Sequence, residues 1–395
     1  MRILTLLFLL ITFAYGETIL KIATYNVENL FDLTKDKNRY KEYIPFGKSN
    51  WNEKNYRIKL KNISKVIKEI DADIIALQEI GSLQALKDLR YTLKQNGLYY
   101  EYYKIADRKK TNIKVAILSR IPFVYSKEIS VTQSYKYRNI LESKFKINNK
   151  DLYLFINHWK SKAGPESMRI VSAKKLRTRV KEIGQDKNII LLGDFNSDYE
   201  EYIKFKRKRK HNDTNSKTGI NHVLRSIKQN QKVSNINYEK NSFYNLWYDT
   251  QKEDRYSYIF RGKKVALDNI LVSQSLLNNK DISYINDSIN NYDKKYHDSG
   301  YVGALFSYSY IEGMDDALFS FSSIKYHSVH LYVIKGWRFQ WPMFFLDFSA
   351  GLGYTIHTKK KVWGTLVPEL KSNVDKRRKW YNGFFYFNVT VGFAF

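Results

Sequence analysis

The chain has 395 residues, enough for one large α/β domain or two domains of ordinary size. It contains no cysteine, which excludes a disulfide framework and leaves oxygen and nitrogen atoms as ligands for any metal. Its formal net charge of +28 at pH 7 favours polyanionic partners such as nucleic acid, anionic lipid headgroups or lipopolysaccharide. A surface that is basic throughout would explain the same charge.

The N-terminal residues have the pattern of a targeting signal. Residues 1–16, MRILTLLFLLITFAYG, place one arginine before an apolar run that closes with small and aromatic residues. The run is too short to span a bilayer, so it predicts a cleaved signal peptide. We therefore expect an exported protein, located in the periplasm, in the outer membrane or outside the cell.

Short apolar runs bounded by polar residues predict buried strands. They lie at 19–26, 73–78, 114–119, 152–157, 188–193 and 265–273. Two helical patterns lie between them, with one apolar face formed by Ile63, Val66, Ile67 and Ile70 and the other by Ala173, Leu176, Val180 and Ile183. Strands that alternate with amphipathic helices predict an α/β layered domain.

A basic, polar stretch follows the fifth predicted strand. Residues 204–210 read KFKRKRK, and the sequence up to about 241 is rich in asparagine with little apolar periodicity. This predicts a long loop or insertion. Both a solvated surface segment and a contact with nucleic acid or lipid remain open.

The composition changes after about residue 299, where aromatic residues begin to alternate with small or polar ones. One such run lies at 344–356, and another places Phe385, Phe387, Val389, Val391, Phe393 and Phe395 on one face. This alternation predicts an antiparallel β-rich region over 299–395, which resembles the end of an outer-membrane β-barrel and suggests association with that membrane. Its five or six strands are fewer than the eight or so that a closed barrel needs. A soluble β-domain with an aromatic core is the alternative.

Polar side chains stand at the ends of several predicted strands. Asn26 ends the first, Glu79 closes DADIIALQE, His158 follows LYLFI, and Asp194 and Asn196 follow NIILL after a glycine turn. Hydrolysis of a phosphodiester requires a divalent cation, a polarised water and a donor near the developing charge. Carboxylate and amide oxygens are the ligands that Mg²⁺ prefers, and this sequence offers them at strand ends.

The ordered motifs TYNV, ALQE, VAILSR, NHWKS, LLGDFN and LDNILVS resemble the endonuclease/exonuclease/phosphatase (DNase I-like) superfamily over about 270 residues. The resemblance implies a four-layer α/β sandwich over 17–298, with two packed mixed β-sheets enclosed by helices. It also implies a metal site at one rim, with Mg²⁺ as the cofactor and Mn²⁺ or Ca²⁺ as alternatives, and nucleic acid as the substrate.

The resemblance assigns roles to individual residues. Glu79 corresponds to the principal metal carboxylate and Asn26 to the neighbouring amide of the metal site. His158 corresponds to the histidine that hydrogen-bonds the scissile phosphate. Asp194 and Asn196 correspond to the catalytic pair that positions the water and the phosphate oxygens.

Three further residues match the family within shorter stretches of similar sequence. Arg138 in KYRNILESKF corresponds to an arginine that contacts phosphate. Tyr258 in DRYSYIFRG resembles a substrate-binding motif of the secreted, nuclease-like branch. Asp268 in ALDNILVS corresponds to a catalytic aspartate that orients a second histidine, which a later Ser-Asp-His strand supplies in the family.

The chain departs from the family after this aspartate. No Ser-Asp-His follows Asp268, and the nearest substitute is KYHDSG, with His297 and Asp298 in reversed order. We therefore expect the final strand to be missing, its neighbour to be left unpaired, and activity to be lowered by a factor of about 10² to 10⁴. Either the reversed residues fill the role on a rerouted chain, or a truncated gene was fused to the tail of a barrel gene. We favour the second account.

These observations predict a secreted or envelope nuclease that uses Mg²⁺ to cleave DNA or RNA, with activity impaired by the lost motif. A phosphodiesterase that acts on phospholipid headgroups would use the same metal chemistry. An inactive, truncated family member associated with the outer membrane is the alternative from a different class.

Overall fold

The computed structural model of the chain describes residues 18–35, 39–48, 50–184, 186–205, 211–228, 231–232, 241–260, 262–278, 281–286, 288–291, 301–308, 328–340, 345–357 and 383–392. The α-helices are α1 (Glu53–Ile70), α2 (Leu83–Gln95), α3 (Glu166–Ile183) and the short α4 (Glu201–Lys204). Single turns of 3₁₀-helix lie at Lys41–Tyr43, Leu246–Asp249, Lys252–Asp254 and Gln274–Leu277, and a π-helical turn at Gly219–Val223.

The strands are β1 (Thr18–Leu30), β2 (Ile74–Ile80), β3 (Tyr102–Ile105), β4 (Lys114–Ser119), β5 (Phe123–Ile129), β6 (Ile140–Ile147), β7 (Lys150–His158), β8 (Asn188–Asp194), β9 (Ile227–Lys228), β10 (Gln231–Lys232), β11 (Phe243–Asn245), β12 (Tyr258–Phe260), β13 (Lys263–Val265), β14 (Asp268–Ser273), β15 (Ile282–Tyr284), β16 (Asn290–Asn291), β17 (Tyr301–Tyr308), β18 (Ser328–Gln340), β19 (Phe345–His357) and β20 (Gly383–Gly392).

The chain divides into two compact units, of which the first is Met1–Glu312. Two mixed β-sheets form the centre of this first unit. One has the order β15-β17-β1-β2-β4-β3, with β16 also paired to β17, and the other has the order β11-β14-β8-β7-β6-β5. In each sheet one pair is parallel, β1 with β2 and β7 with β8, and the remaining pairs are antiparallel. Side chains of both sheets, including Ile22 and Ile74 from one and Ile156 and Leu192 from the other, share one buried cluster. The sheets therefore pack face to face.

Helices cover the outer face of each sheet. The apolar residues Ile63 and Ile67 of α1 pack with Ile75 of the first sheet. On the other side, Leu176 of α3 packs with Leu191 of the second sheet. This arrangement of helix, sheet, sheet and helix confirms the predicted four-layer α/β sandwich.

The crossover helices bring two pairs of strand ends together. Helix α1 connects the parallel strands β1 and β2, and α3 connects β7 and β8. The side chain of Asn52 caps the first turn of α1 by accepting from the backbone N–H of Asn55, and Asp71 ends the helix in a left-handed conformation. Because the carboxyl ends of parallel strands lie at one edge of a sheet, each crossover delivers the residues after both strands to the same rim.

Several strand boundaries differ from the prediction. Strand β1 continues past Asn26 to Leu30 because Glu28 and Asn29 adopt positive φ angles and form a bulge that shifts its register on β2. Strand β8 continues through Asp194, whereas β14 starts only at Asp268. The predicted boundaries were wrong because polar residues such as Asp194 interrupt the apolar pattern before the strand ends.

The closing strand that the sequence analysis expected to be missing is present. Strand β17 pairs antiparallel with β1 from Thr18 opposite Tyr308 to Tyr25 opposite Tyr301, so β1 has hydrogen-bonding partners on both sides. The expectation of an unpaired edge is therefore wrong. This strand falls within 299–395, the range assigned to a barrel-like region, whereas His297 and Asp298 lie outside the described residues.

The second compact unit runs from Gly313 to Phe395. Its described part is an antiparallel sheet of order β18-β19-β20, in agreement with the predicted antiparallel strands at the C-terminus. A relation to membrane barrels stays a prediction. Within the described ranges, no helix is both long and apolar enough to cross a membrane. The proposed signal peptide and residues 206–210 of the basic run lie outside the described residues.

Candidate metal centre and active site

The predicted site residues meet at one rim of the sandwich. Strand pairing places His158 opposite Asp194, and Asp194 opposite Asp268 on its other side. In the facing sheet, Asn26 lies opposite Gln78, the residue before Glu79. The two crossovers thus bring side chains from both sheets to one place.

The backbone at this rim adopts conformations that side chains rarely allow. Glu79 and Asn196 have φ angles of 67° and 47°. Such residues concentrate where a site requires a particular side-chain direction. Gly193 has φ 125°, and a Cβ there would lie 2.2 Å from the backbone oxygen of Asn157. The glycine therefore lies inside β8 and permits close approach of β7, whereas the sequence analysis placed it in a turn.

Glu79, His158 and Asp194 form a candidate metal site. Each offers one ligand atom, and these atoms all lie within 4.8 Å of one another. The Nε2 atom of His158 is 3.4 Å from Asp194 Oδ2 and 3.8 Å from Glu79 Oε1. The two carboxylates suit a divalent cation such as Mg²⁺ or Mn²⁺, whereas an imidazole is a ligand that transition metals accept more readily than Mg²⁺.

Asn26 holds the two carboxylates together. Its amide nitrogen donates to Glu79 Oε1 at 3.2 Å and to Asp194 Oδ2 at 3.3 Å, while its amide oxygen accepts from the backbone N–H of Glu28 at 3.0 Å. The predicted neighbour of the metal therefore bridges both sheets. In this arrangement it orients the ligands with its amide nitrogen.

Burial changes the acidity of two carboxyl groups at the site. It raises the pKa of Asp194 to about 7, and the charge of Glu79 adds to this effect. The pKa of Asp268 is also well above its ordinary value, first because of burial and then because Asp194 is close. The buried Oδ1 atom of Asp268 has no hydrogen-bond partner among the described residues. A divalent cation at this rim would stabilise the ionised carboxylates, so the residues fit the predicted group.

His158 is neutral in this environment. Burial lowers its pKa well below the ordinary value, and the charge of Arg138 lowers it further. Its Nδ1 atom is buried with no hydrogen-bond partner in the described part of the chain. A neutral imidazole can donate a hydrogen bond from one ring nitrogen and accept one at the other.

Arg138 and Asn196 are fixed by the same carbonyl group. Arg138 Nη1 donates to the backbone oxygen of Trp159 at 2.9 Å, and Asn196 Nδ2 donates to it at 3.2 Å. The backbone N–H of Asn196 also donates to Asp194 Oδ1 at 2.7 Å. These bonds set both predicted phosphate-contacting residues beside the strand end that carries His158.

A cavity of about 440 Å³ opens at this rim. It is lined by Asn26, Glu28, Asn29, Tyr43, Lys59, Glu79, Asp194, Asn196, Ser257, Tyr258, Leu267 and Asp268. Six of the predicted site residues are in this set, including Tyr258 on β12. The His158 residue is only 4% exposed, and neither His158 nor Arg138 lines the cavity.

Four further residues line the cavity and were not predicted from the sequence, namely Glu28, Asn29, Tyr43 and Lys59. Lys59 had a recognisable signal. It lies three residues after Tyr56 and four before Ile63, and both of those side chains are buried. A lysine at a core-facing position of an amphipathic helix is unusual and marks a special environment.

Residues 21–308 match the family model that is described as the Endonuclease/Exonuclease/phosphatase family. Among solved structures, TDP2 from D. rerio complexed with a single-strand DNA product is similar, with 15% identity, a TM-score of 0.49, and coverage of 73% of this chain and 99% of that one. A mannosyl-6-phosphatase from Bacteroides thetaiotaomicron has 15% identity, a TM-score of 0.45, and coverage of 73% and 99%. A search of curated proteins finds no match.

Proposed function

Because this chain belongs to the endonuclease/exonuclease/phosphatase family, we propose that it is a divalent-cation-dependent nuclease that hydrolyses phosphodiester bonds in DNA or RNA. Family membership indicates a hydrolase of phosphate esters. The observation that carries the finer proposal is the convergence of Glu79, His158 and Asp194 from three strands on one point of a polar cavity. Mg²⁺ is the proposed cofactor, with Mn²⁺ and Ca²⁺ as alternatives.

The carboxylates of Glu79 and Asp194 would hold the cation, and Asn26 keeps them in register. A bound divalent cation supplies positive charge next to the scissile phosphate and polarises an oxygen. Burial raises the pKa of Asp194 to about 7 in the metal-free protein, and a bound cation would keep this group ionised, so that it can accept a hydrogen bond from the attacking water. Asn196 is bonded to Asp194 through its backbone and lines the cavity, where its amide oxygen can orient that water.

His158 and Arg138 would act on the phosphate oxygens. Because burial keeps His158 neutral, it can donate one hydrogen bond without adding a charge that competes with the cation. The guanidinium group of Arg138 donates to the backbone carbonyl of Trp159, which holds it in position. Their contribution is strongest for the extra negative charge of the transition state.

The net charge of +28 supports a polyanionic substrate. Contacts with the phosphate backbone carry no sequence information, so we propose cleavage without marked sequence preference. Phospholipid headgroups contain the same phosphodiester linkage. A phospholipid is therefore included as a second substrate in the test.

The lost Ser-Asp-His order leaves the second histidine unassigned. Strand β17 reaches Tyr301, which lies opposite Tyr25, the residue before Asn26. We propose that His297 and Asp298, which precede this strand in the sequence, replace the family motif. The support is the presence of the strand, which removes the main reason to regard the domain as truncated.

The test is hydrolysis of plasmid DNA, RNA and sphingomyelin by the purified mature chain with Mg²⁺ or Mn²⁺, each compared with EDTA. We expect cation-dependent cleavage of nucleic acid that Glu79→Ala and His158→Ala each reduce by a factor of at least about 10². Lys61→Met, on the exposed face of α1, serves as a control that keeps activity. No cleavage by the folded chain would overturn the proposal, and cleavage of sphingomyelin alone would replace the substrate.

A further inference from the structure

Lys59 is the only cation among the described residues that line the cavity of the metal site. Four carboxyl groups line the same cavity, those of Glu28, Glu79, Asp194 and Asp268. The lysine comes from α1, a different element from any that carries a predicted site residue. Helix α1 therefore also contributes a side chain to the lining of the site.

Lys59 lines the cavity, and its ammonium group has no bonded partner in the described part of the chain. It is half-buried, feels the charges of Glu28 and Glu79, and makes no hydrogen bond or ion pair within 4.0 Å to any residue that the structure describes. A partly desolvated ammonium has three donors, and leaving them unsatisfied is unfavourable. Helix α1 thus presents to the cavity a cation that has no ion-pair partner among the described residues.

Asn29, which lines the same cavity as Lys59, carries a hydrogen-bond acceptor without a partner among the described residues. The buried Oδ1 atom of Asn29 has no hydrogen-bond partner within the described ranges, although Asn29 bonds the hydroxyl of Tyr43 through its side chain. Asn29 adopts φ 63°, so the bulge in β1 directs this side chain to the cavity. The donors of the Lys59 ammonium group fit an anion, whereas the amide oxygen of Asn29 can accept only from a donor such as a hydroxyl group or a water molecule.

We propose that Lys59 is a substrate-binding residue that donates to a non-bridging phosphate oxygen, on the wall that it shares with Asn29. This proposal rests on the proposed function and specifies how the site accepts an anion. The carboxylates that hold a cation also repel the substrate, and Glu28 adds a negative charge beyond the two that a divalent ion on Glu79 and Asp194 would balance. Lys59 supplies the compensating charge on the helix side of the cavity.

The alternative is that Lys59 only balances Glu28 and Glu79. The two roles predict different affinities for a phosphate ligand in the Lys59→Met variant. If Lys59 binds substrate, Lys59→Met weakens binding of a phosphate ligand by about 10-fold to 100-fold, the usual loss for one charge-assisted hydrogen bond. The same variant binds the metal more tightly, by a factor of about three or more, because a positive charge near Glu79 is removed. A purely balancing role changes metal binding and leaves phosphate binding as it was.

The experiment measures two affinities by titration calorimetry. Mn²⁺ is titrated into the metal-free chain, and thymidine 5′-monophosphate is titrated into the chain saturated with Ca²⁺. Wild type is compared with Lys59→Met and with Lys59→Gln, a second variant that keeps a polar side chain. Lys61→Met is the matched control, because it removes the same charge from an exposed position two residues along α1. Lys59→Arg keeps the charge and should retain most of the nucleotide affinity.

We expect both neutral variants to bind the nucleotide more weakly and Mn²⁺ more tightly, while Lys61→Met matches wild type. Unchanged nucleotide affinity in Lys59→Met and Lys59→Gln would overturn the proposal, as would an equal loss in Lys61→Met. Because neither titration requires turnover, the result does not depend on whether the wild type cleaves DNA. Failure of the nuclease proposal is therefore recognised separately.

Discussion

The buried carboxyl group of Asp194 makes the stability of the metal-free protein depend on pH. Its pKa is raised from 3.8 to about 7, mainly because burial disfavours the charged form. The folded state therefore holds this proton more tightly than the unfolded chain does. The resulting stabilisation is fully present below pH 3.8 and is lost as the pH rises to about 7.

The magnitude follows from the size of the shift. Each pKa unit corresponds to about 1.4 kcal/mol, so the rise from 3.8 to about 7 costs about 4 kcal/mol once the pH exceeds 7. The free energy of unfolding should fall by about 1.4 kcal/mol per pH unit between pH 5 and pH 7 from this group alone. Asp194→Asn removes that slope. It also removes a charge that raises the pKa of Asp268, which acts in the same direction.

The assay is urea unfolding in EDTA at pH 5, 6, 7 and 8, followed by circular dichroism, for wild type and Asp194→Asn. We expect wild type to lose stability across this range and the variant to lose less, with a difference in slope of about 1.4 kcal/mol per unit below pH 7. Saturating Mg²⁺ should restore wild type at pH 8 and leave the variant almost unaffected. Equal slopes for the two proteins would refute the assigned burial effect.

Other predictions concern the scaffold. Gly193→Ala should lower the free energy of unfolding by about 3 kcal/mol, because its Cβ would meet the Asn157 backbone at a positive φ; urea unfolding checks this, and an unchanged midpoint would contradict it. Arg179→Met should cost about 3 kcal/mol, because it leaves the fully buried Glu142 with a weaker set of partners. His297→Ala should lower the cleavage rate about 100-fold without changing the unfolding midpoint, and an unaffected rate would exclude its proposed role.

The sequence predicted much of the sandwich because buried strands and amphipathic helices have distinct periodicities. Val115, Ala116, Ile117 and Leu118 of β4 form an apolar run that can be read without a structure. The rim could be predicted as well, since parallel strands end at one edge and Glu79, His158 and Asp194 each follow such a strand. Their mutual distances could not, because they depend on how the two sheets face each other.

The remaining features depend on contacts between distant parts of the chain. The bulge at Glu28 and Asn29 is left-handed backbone in a stretch without glycine, and the only local signal for it is the tolerance of asparagine for that conformation. The closing strand was judged missing from its lost motif, although pairing with β1 requires only extended backbone opposite Thr18 to Tyr25. Lys59 joins the site through the packing of α1, which places one of several helical lysines over the cavity.

The most direct test of the central claim is to locate the cation. A crystal grown with Mn²⁺ and measured near the manganese absorption edge gives the position of the ion from its anomalous scattering. We predict a peak at the rim within about 2.2 Å of a carboxylate oxygen of Glu79, with Asp194 and His158 around it. A Mn²⁺ peak elsewhere, or none in a chain whose rim has the described geometry, would contradict the account.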